Sequence, residues 1–226
     1  MTVGECLNEL HNYSITHSYN SHSSHFIMAI ICVDGNIGSG KSSVLEYLHT
    51  RYGCSVDLEP VRKWQPYLTE LYATGKSAFE FQVRVWMDRC WIQMRPNQSN
   101  MIMERSPYFQ SRVFVPTNYK EKRICESEHT TLNEMYQMSM KMWQPEFYIY
   151  LRSNPSKCME RIHRRQRESE DLIQECYIQQ LHELHENAYM DAVVAGRSIL
   201  CIDVEDKTIE RIGDEVYQAL RVMKMV

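Results

Sequence analysis

The sequence predicts an α/β domain built on one doubly wound, five-stranded parallel sheet with helices on both faces. Three observations predict it. Five short apolar runs alternate with longer segments of helical spacing. The runs are continuously hydrophobic rather than alternating, as strands buried on both faces are. The first run ends in a glycine-rich turn that opens directly into a helix, the strand–turn–helix order of a parallel crossover unit.

The elements follow in order. Positions 28–34 form the first strand, stopped at Gly35. Helical spacing covers 41–51. A second strand spans 54–58, and helix-like stretches occupy 66–73 and 77–94. The third strand is 101–104, followed by helices near 107–115 and 129–142. The mixed-charge stretch 120–128 between those helices reads as a loop. The fourth strand is 147–152. Helix 155–167 opens on Pro155, whose missing N–H is harmless in a first turn. A long helix over 174–195 is closed by Gly196, and strand 199–204 and helix 207–222 complete the chain. Residues 1–25 stand apart, with five Ser, four His and neither Lys nor Arg. They lack the basic start and apolar stretch of a secretory signal and the arginines of a mitochondrial presequence. They read as a flexible polar tail before a folded domain over 26–226.

Composition sets bounds on function. The chain has 226 residues, 43% apolar and 24% charged, which suits a globular domain. Its net charge of −4 argues against bulk-charge binding to nucleic acid or an anionic membrane. The longest apolar run, 26–33, has eight residues, too few to span a bilayer. Eight widely spaced cysteines without a C-x-x-C pair read as reduced thiols of a cytoplasmic protein, not as a disulfide framework or a zinc site. His182-Glu183-Leu184-His185-Glu186 fails as a metalloprotease helix, because H-E-x-x-H needs histidine where Glu186 stands.

One motif carries chemistry by itself. Gly35-Asn36-Ile37-Gly38-Ser39-Gly40-Lys41-Ser42 is a complete G-x-x-x-x-G-K-S between a strand and a helix, with Ser43 following. Glycines let such a loop wrap closely, so that backbone N–H groups point at phosphate oxygens. Lys41 reaches the β and γ phosphates, and Ser42 is a ligand for Mg²⁺. The chain therefore reads as a P-loop NTPase-type protein that binds ATP or GTP. In doubly wound sheets the carboxyl ends of strands line the ligand crevice. Glu59, after the second strand, and Glu104, closing the third, fall beside this loop. Alone, each would read equally as a surface ion-pair partner.

Taken together, five motifs in order resemble the deoxyribonucleoside kinase family over about residues 28–205. The loop matches G-N-I-G-x-G-K-S. Glu59, Pro60, Val61 and Trp64 match E-P-V-x-x-W; Phe81 and Gln82 match an F-Q pair; Glu104–Ser106 match E-R-S. Arg161, Arg165, Arg167 and Glu170 match an arginine lid R-x-x-x-R-x-R-x-x-E. The resemblance implies ATP- and Mg²⁺-dependent phosphorylation of a deoxynucleoside at its 5′-hydroxyl, in a homodimer, for nucleotide salvage. Roles then follow from charge and position. Glu59 is the general base for the 5′-hydroxyl. Arg105 stabilises charge near the 5′-oxygen. Glu104 joins Ser42 around Mg²⁺, partly through water. Lys41 and the lid arginines Arg161, Arg165 and Arg167 hold the triphosphate, since guanidinium matches phosphate geometry. A charged helix end is otherwise only a solvated face.

Gln82, Val85 and Arg89 share one helical face at i, i+3 and i+7. An amide such as Gln82 reads a base through its donor and acceptor together. Trp64, Phe81 and Phe114 would sandwich that base, while Val85 reads equally as pocket wall or core. By resemblance, Tyr72 and Glu170 hold the sugar 3′-hydroxyl, although Tyr72 stands one residue closer to Gln82 than in the family. Relatives that prefer deoxycytidine or purines pair an arginine at the Arg89 position with an aspartate, where this chain has Gln110. A guanidinium in the pocket would crowd the thymine 5-methyl group. A neutral Gln110 would alternatively release Arg89 and leave a broader, thymidine-accepting pocket. Two rival readings remain: a nucleoside monophosphate kinase of the thymidylate kinase type, and a non-catalytic nucleotide-binding subunit.

Overall fold

The computed structural model describes residues 29–90, 100–142 and 144–226. The tail, the start of the first strand and the end of the 77–94 helix lie outside these residues. Five parallel strands form one sheet: β1 (Ile30–Gly35), β2 (Val56–Asp57), β3 (Met101–Glu104), β4 (Phe147–Arg152) and β5 (Ile199–Asp203). Their order is β2-β3-β1-β4-β5, so β1 is central and the order reverses beside it. The register sets Val33 opposite Glu104 and Asp34 opposite Tyr150, which aligns the carboxyl ends of β1, β3 and β4. Continuous apolar runs are explained by burial on both faces: all six residues of β1 are buried.

Helices cover both faces. Alternate residues of β1 point to opposite sides, as the strand period requires. Ile31 and Val33 pack against α1 (Lys41–Tyr52) and α8 (Ile209–Val222). Ile30 and Cys32 pack with α6 (Pro155–Arg165), α7 (Glu175–Val194) and the helical run 107–120, here α4. A third cluster joins α2 (Val61–Thr74), α3 (Ala78–Cys90) and α5 (Glu126–Met142) through Trp64, Phe81, Val85 and Leu132.

Several boundaries differ from the sequence reading. Helix α2 begins at Val61, five residues before the expected 66, and carries Pro66 in its interior. Proline removes a helix hydrogen bond there. Burial of Trp64 and the hydrogen bond from its Nε1 to Asp88 Oδ2 (2.9 Å) offset that loss. Run α4 continues past 115 to Lys120 and contains a π-helical segment, Gln110–Phe114, between an α turn at Pro107–Phe109 and Val115–Lys120. The 120–128 loop is shorter than expected, since α5 starts at Glu126, where Glu128 accepts from the Cys125 backbone N–H (2.7 Å). Lid helix α6 ends at Arg165, with Gln166 left-handed, and a 3₁₀ turn follows at Glu170–Leu172.

Candidate active site

A cleft of about 330 Å³ opens at the carboxyl ends of β1, β2 and β3. Its phosphate end is the loop between β1 and α1. Gly38 has φ +82°, and a Cβ there would lie 2.5 Å from the Cys158 carbonyl oxygen of α6. Only glycine lets the lid helix sit this close. Lys41 is buried, and its Nζ donates to the carbonyls of Gly35 (3.1 Å) and Asn36 (2.9 Å). Burial, and then the charge of Arg105, lower its pKa to about 8. Gly38, Gly40, Lys41, Ser42, Ser43 and Ile37 line the cleft. Gly35, Asn36 and Ser39 sit behind it; the Asn36 side chain donates to the Ile178 carbonyl (2.9 Å).

Two carboxylates meet beside this loop. Glu104 Oε1 accepts from Ser42 Oγ (2.9 Å), and its Oε2 accepts from the Glu59 backbone N–H (3.2 Å). The Glu59 carboxylate pairs with the Arg105 guanidinium. Burial pushes Glu59 up, but the cations Arg105 and Lys41 outweigh it and hold the carboxyl below its usual value. Glu104 goes the other way, raised by burial and then by the charge of Glu59. Arg105 adopts φ +67° at the end of β3 and lies 4.4 Å over the Phe114 ring. Asp34 braces that turn by accepting from the Ser106 N–H (3.0 Å).

The residues present fit a magnesium ion. Among the described residues no three His, Cys, Asp or Glu side chains gather into a metal cage. Ser42 and Glu104 instead bring two oxygens together at the loop, and burial leaves Glu104 short of compensating charge. Mg²⁺ is commonly held this way, with one or two protein oxygens and a shell completed by phosphates and waters.

At the lid, Arg165 makes two hydrogen bonds to Glu170 (both 2.6 Å), and Arg167 approaches the same carboxylate at 3.5 Å. All three line the cleft with Tyr72. Arg161 does not. It lies behind the phosphate loop, donating to the Ser39 carbonyl and Ser153 Oγ (both 3.3 Å) and so bracing α6 against the loop.

At the far end, Trp64 and Phe81 meet edge to face at 5.7 Å, and Val85, Phe114, Gln82 and Gln110 complete the wall. Gln110 Nε2 donates to Gln82 Oε1 (2.9 Å). Arg89 is the correction. It was expected in the pocket, but it is buried outside the cleft lining. It pairs with Asp57 (3.0 Å) and donates to the carbonyls of Asp57 (3.1 Å), Leu58 (3.3 Å) and Glu104 (2.8 Å). Its guanidinium ties β2 to β3, so the crowding argument against thymine loses its basis.

The structure also adds residues that the sequence reading missed. Leu68 and Leu71 extend the face of Trp64 at i+4 and i+7, a spacing that was readable. Asn118, with a buried Oδ1 lacking a hydrogen-bond partner, and Tyr177 reach the cleft from α4 and α7. No local pattern marks either one.

Fold, phosphate loop and cleft define the class: a P-loop nucleotide-binding protein of the phosphotransferase type. The deoxynucleoside kinase family model matches residues 31–223, and the chain belongs to that family. It is 30% identical to mitochondrial thymidine kinase 2 of Homo sapiens over 167 residues, which is 70% of this chain and 63% of that protein. It is 29% identical over 189 residues to mitochondrial deoxyguanosine kinase of Xenopus laevis, 70% of this chain and 71% of that protein. In fold it is similar to a deoxyadenosine kinase from M. mycoides solved with dCMP and dCDP bound. That TM-score is 0.75 at 22% identity, covering 86% of this chain and 99% of the other.

Proposed function

We propose that the chain transfers the γ-phosphoryl group of ATP to the 5′-hydroxyl of a deoxynucleoside. The observation that carries this is the Glu59–Arg105 pair at the strand ends, flanked by Lys41 and by Ser42 with Glu104. Glu59 is held ionised, so it accepts the hydroxyl proton as the bond to phosphorus forms. In a loose transition state the proton leaves late, so a carboxylate of low basicity serves. Arg105, fixed by Glu59, orients that carboxylate and faces the charge that develops between the two oxygens. Lys41 holds the β and γ phosphates. Arg165 and Arg167 close over the triphosphate, and Tyr72 with Glu170 takes the sugar. Mg²⁺, held by Ser42 and Glu104, would supply charge neutralisation at the phosphates.

A monophosphate kinase fits the site less well, because Glu59 and Glu104 would repel an acceptor phosphate. A non-catalytic nucleotide-binding subunit would leave this assembled set without a use. A homodimer belongs to the same reading: α3 and α5 pack on each other and leave Met87, Met138 and Met142 at least half exposed. So does a cytoplasmic location, supported by free cysteines such as Cys32, Cys54 and Cys90. No helix among the described residues is long and apolar enough to cross a membrane. Incubation with ATP, Mg²⁺ and each of the four deoxynucleosides should give ADP and a nucleoside monophosphate. Turnover of monophosphates alone would move the assignment to the monophosphate kinases.

A further inference from the structure

We infer that Arg123 is a positioning residue: its guanidinium fixes the Tyr177 ring as a wall of the cleft, and through that ring it sets how tightly the nucleoside binds. The inference rests on the deoxynucleoside kinase reading and extends it to a residue outside the cleft lining. Local geometry delivers Arg123 to this place. Run α4 ends at Lys120, and the chain turns back through Lys122, which has φ +57°. The Arg123 N–H donates to the Asn118 carbonyl (2.9 Å) and the Lys122 N–H to that of Tyr119 (3.0 Å), the bond pattern that closes a helix on a left-handed residue. Glycine usually fills that position, because a side chain there is strained. Such strain persists where surrounding contacts fix it, and the contacts of Arg123 do so.

Those contacts reach three elements. The guanidinium lies 5.2 Å from the centre of the Tyr177 ring on α7, within cation–π reach. Its Nη2 pairs with Glu121 (2.7 Å), and the two side chains are only 22% and 25% exposed, so the pair is partly shielded from water and holds the guanidinium in one orientation. Its stem passes the end of α2, where a Cβ on Gly75 would lie 3.5 Å from the Arg123 Cγ. The turn of α2 before Gly75 carries Leu71 and Tyr72, which line the cleft. Arg123 thus fastens the ends of α2 and α4 to α7.

Tyr177 passes this on. It is buried and lines the cleft. Burial raises its hydroxyl to about 12, with the Arg123 charge the first to oppose it, so the phenol faces the site neutral. Tyr72 is pushed up in turn by burial, then by Tyr177 and Glu170, and all three line the cleft. A Tyr177 ring released from Arg123 would have to be ordered again on binding, which costs affinity. Arg123 itself has its charge engaged by Glu121 and does not line the cleft, so it takes no part in holding the triphosphate. Its effect falls on nucleoside binding and not on phosphoryl transfer.

The test is steady-state kinetics of the full chain, with ATP, Mg²⁺ and its best-used deoxynucleoside, in wild type, Arg123→Met, Tyr177→Leu and the double variant. Arg123→Met should raise KM for the nucleoside about fivefold, the size of a cation–π contact at a partly exposed site. It should leave kcat and KM for ATP within about twofold, the sign of lost ground-state binding. In the Tyr177→Leu background the same substitution should change the nucleoside KM by less than about twofold, because the ring through which Arg123 acts is gone. An unchanged nucleoside KM in folded Arg123→Met, an equal rise in both backgrounds, or a fall in kcat at unchanged KM overturns the proposal. Should circular dichroism show Arg123→Met unfolded, Arg123→Lys decides, since it keeps the charge and loses the plane. Its nucleoside KM should then rise by about twofold or more with Tyr177 present and not without it; an equal change in both backgrounds overturns the proposal. Failure of these variants beside an active wild type leaves the kinase reading standing. No turnover of any deoxynucleoside by wild type would remove both.

Discussion

Glu59 and Glu104 are separated by one hydrogen bond through the Glu59 backbone, yet burial and charge drive their carboxyls in opposite directions. The cations Arg105 and Lys41 hold the Glu59 carboxyl below its usual value, which suits the base role proposed for it. Glu59→Gln keeps the shape and removes proton acceptance. It should lower kcat by about 10²–10⁴-fold with little change in ATP binding; near-normal turnover would refute the assignment. Asp34 obeys the same rule with the opposite consequence. Burial raises its pKa from 3.8 to about 6, because only one of its oxygens has a hydrogen-bond partner. The folded state therefore binds a proton more tightly than the unfolded chain, and stability falls as pH rises from about 4 to about 6. That rise corresponds to about 3 kcal/mol. Asp34→Asn should be more stable than wild type at pH 7.5, and the gain should vanish near pH 4. Urea unfolding at both pH values measures it; a gain independent of pH would show that the Asp34 charge is not the cause.

At the level of elements, legibility followed the range of the interaction. Strands β1, β3 and β4 were readable because burial on both faces writes itself into consecutive apolar residues. The phosphate loop was readable because its spacing is local. Helix α2 starts five residues before the expected 66, because the burial of Trp64 against α3 outweighs the cost of Pro66 in the helix interior. Trp64→Ala should destabilise the fold by about 3–5 kcal/mol, read by chemical denaturation, since it empties a buried aromatic site; a cost under about 1 kcal/mol would mean that Trp64 does not hold α2 in place. Spacing put Arg89 on the correct face of α3, but its partner Asp57 lies on another strand, and no helical pattern reports that. The π-helical segment and Asn118 left no sequence signal for the same reason. Around the end of lid helix α6 the pattern placed three arginines together, and their uses diverge: Arg161 braces the loop, while Arg165 and Arg167 reach the cleft. Arg165→Ala and Arg167→Ala should each lower kcat by weakening neutralisation of the transferring group. Wild-type kinetics in both would reduce the run to a solvated face.

Across the whole molecule, the cleft draws side chains from α1, α2, α3, α4, α6 and α7, with the sheet aligning their ends. Its lining begins at Ile37 and ends at Tyr177, and the three core clusters begin at Ile30. Among the described residues, every side chain that lines the cleft therefore lies within the span matched by the family model, 31–223. Residues 1–25 bring five Ser, four His and no Lys or Arg, a composition with little apolar surface to bury and no cation for a phosphate. Removing them should leave both fold and site intact, because a polar terminal segment contributes little that the rest of the chain depends on. A deletion starting at Phe26 should keep kcat and KM for ATP within about twofold of the full chain and shift Tm by no more than a degree or two. Parallel thermal unfolding and steady-state assays on the two proteins decide it. A truncated protein that is folded but loses turnover would place part of the tail in the catalytic cycle, and one that aggregates would make the tail part of the domain.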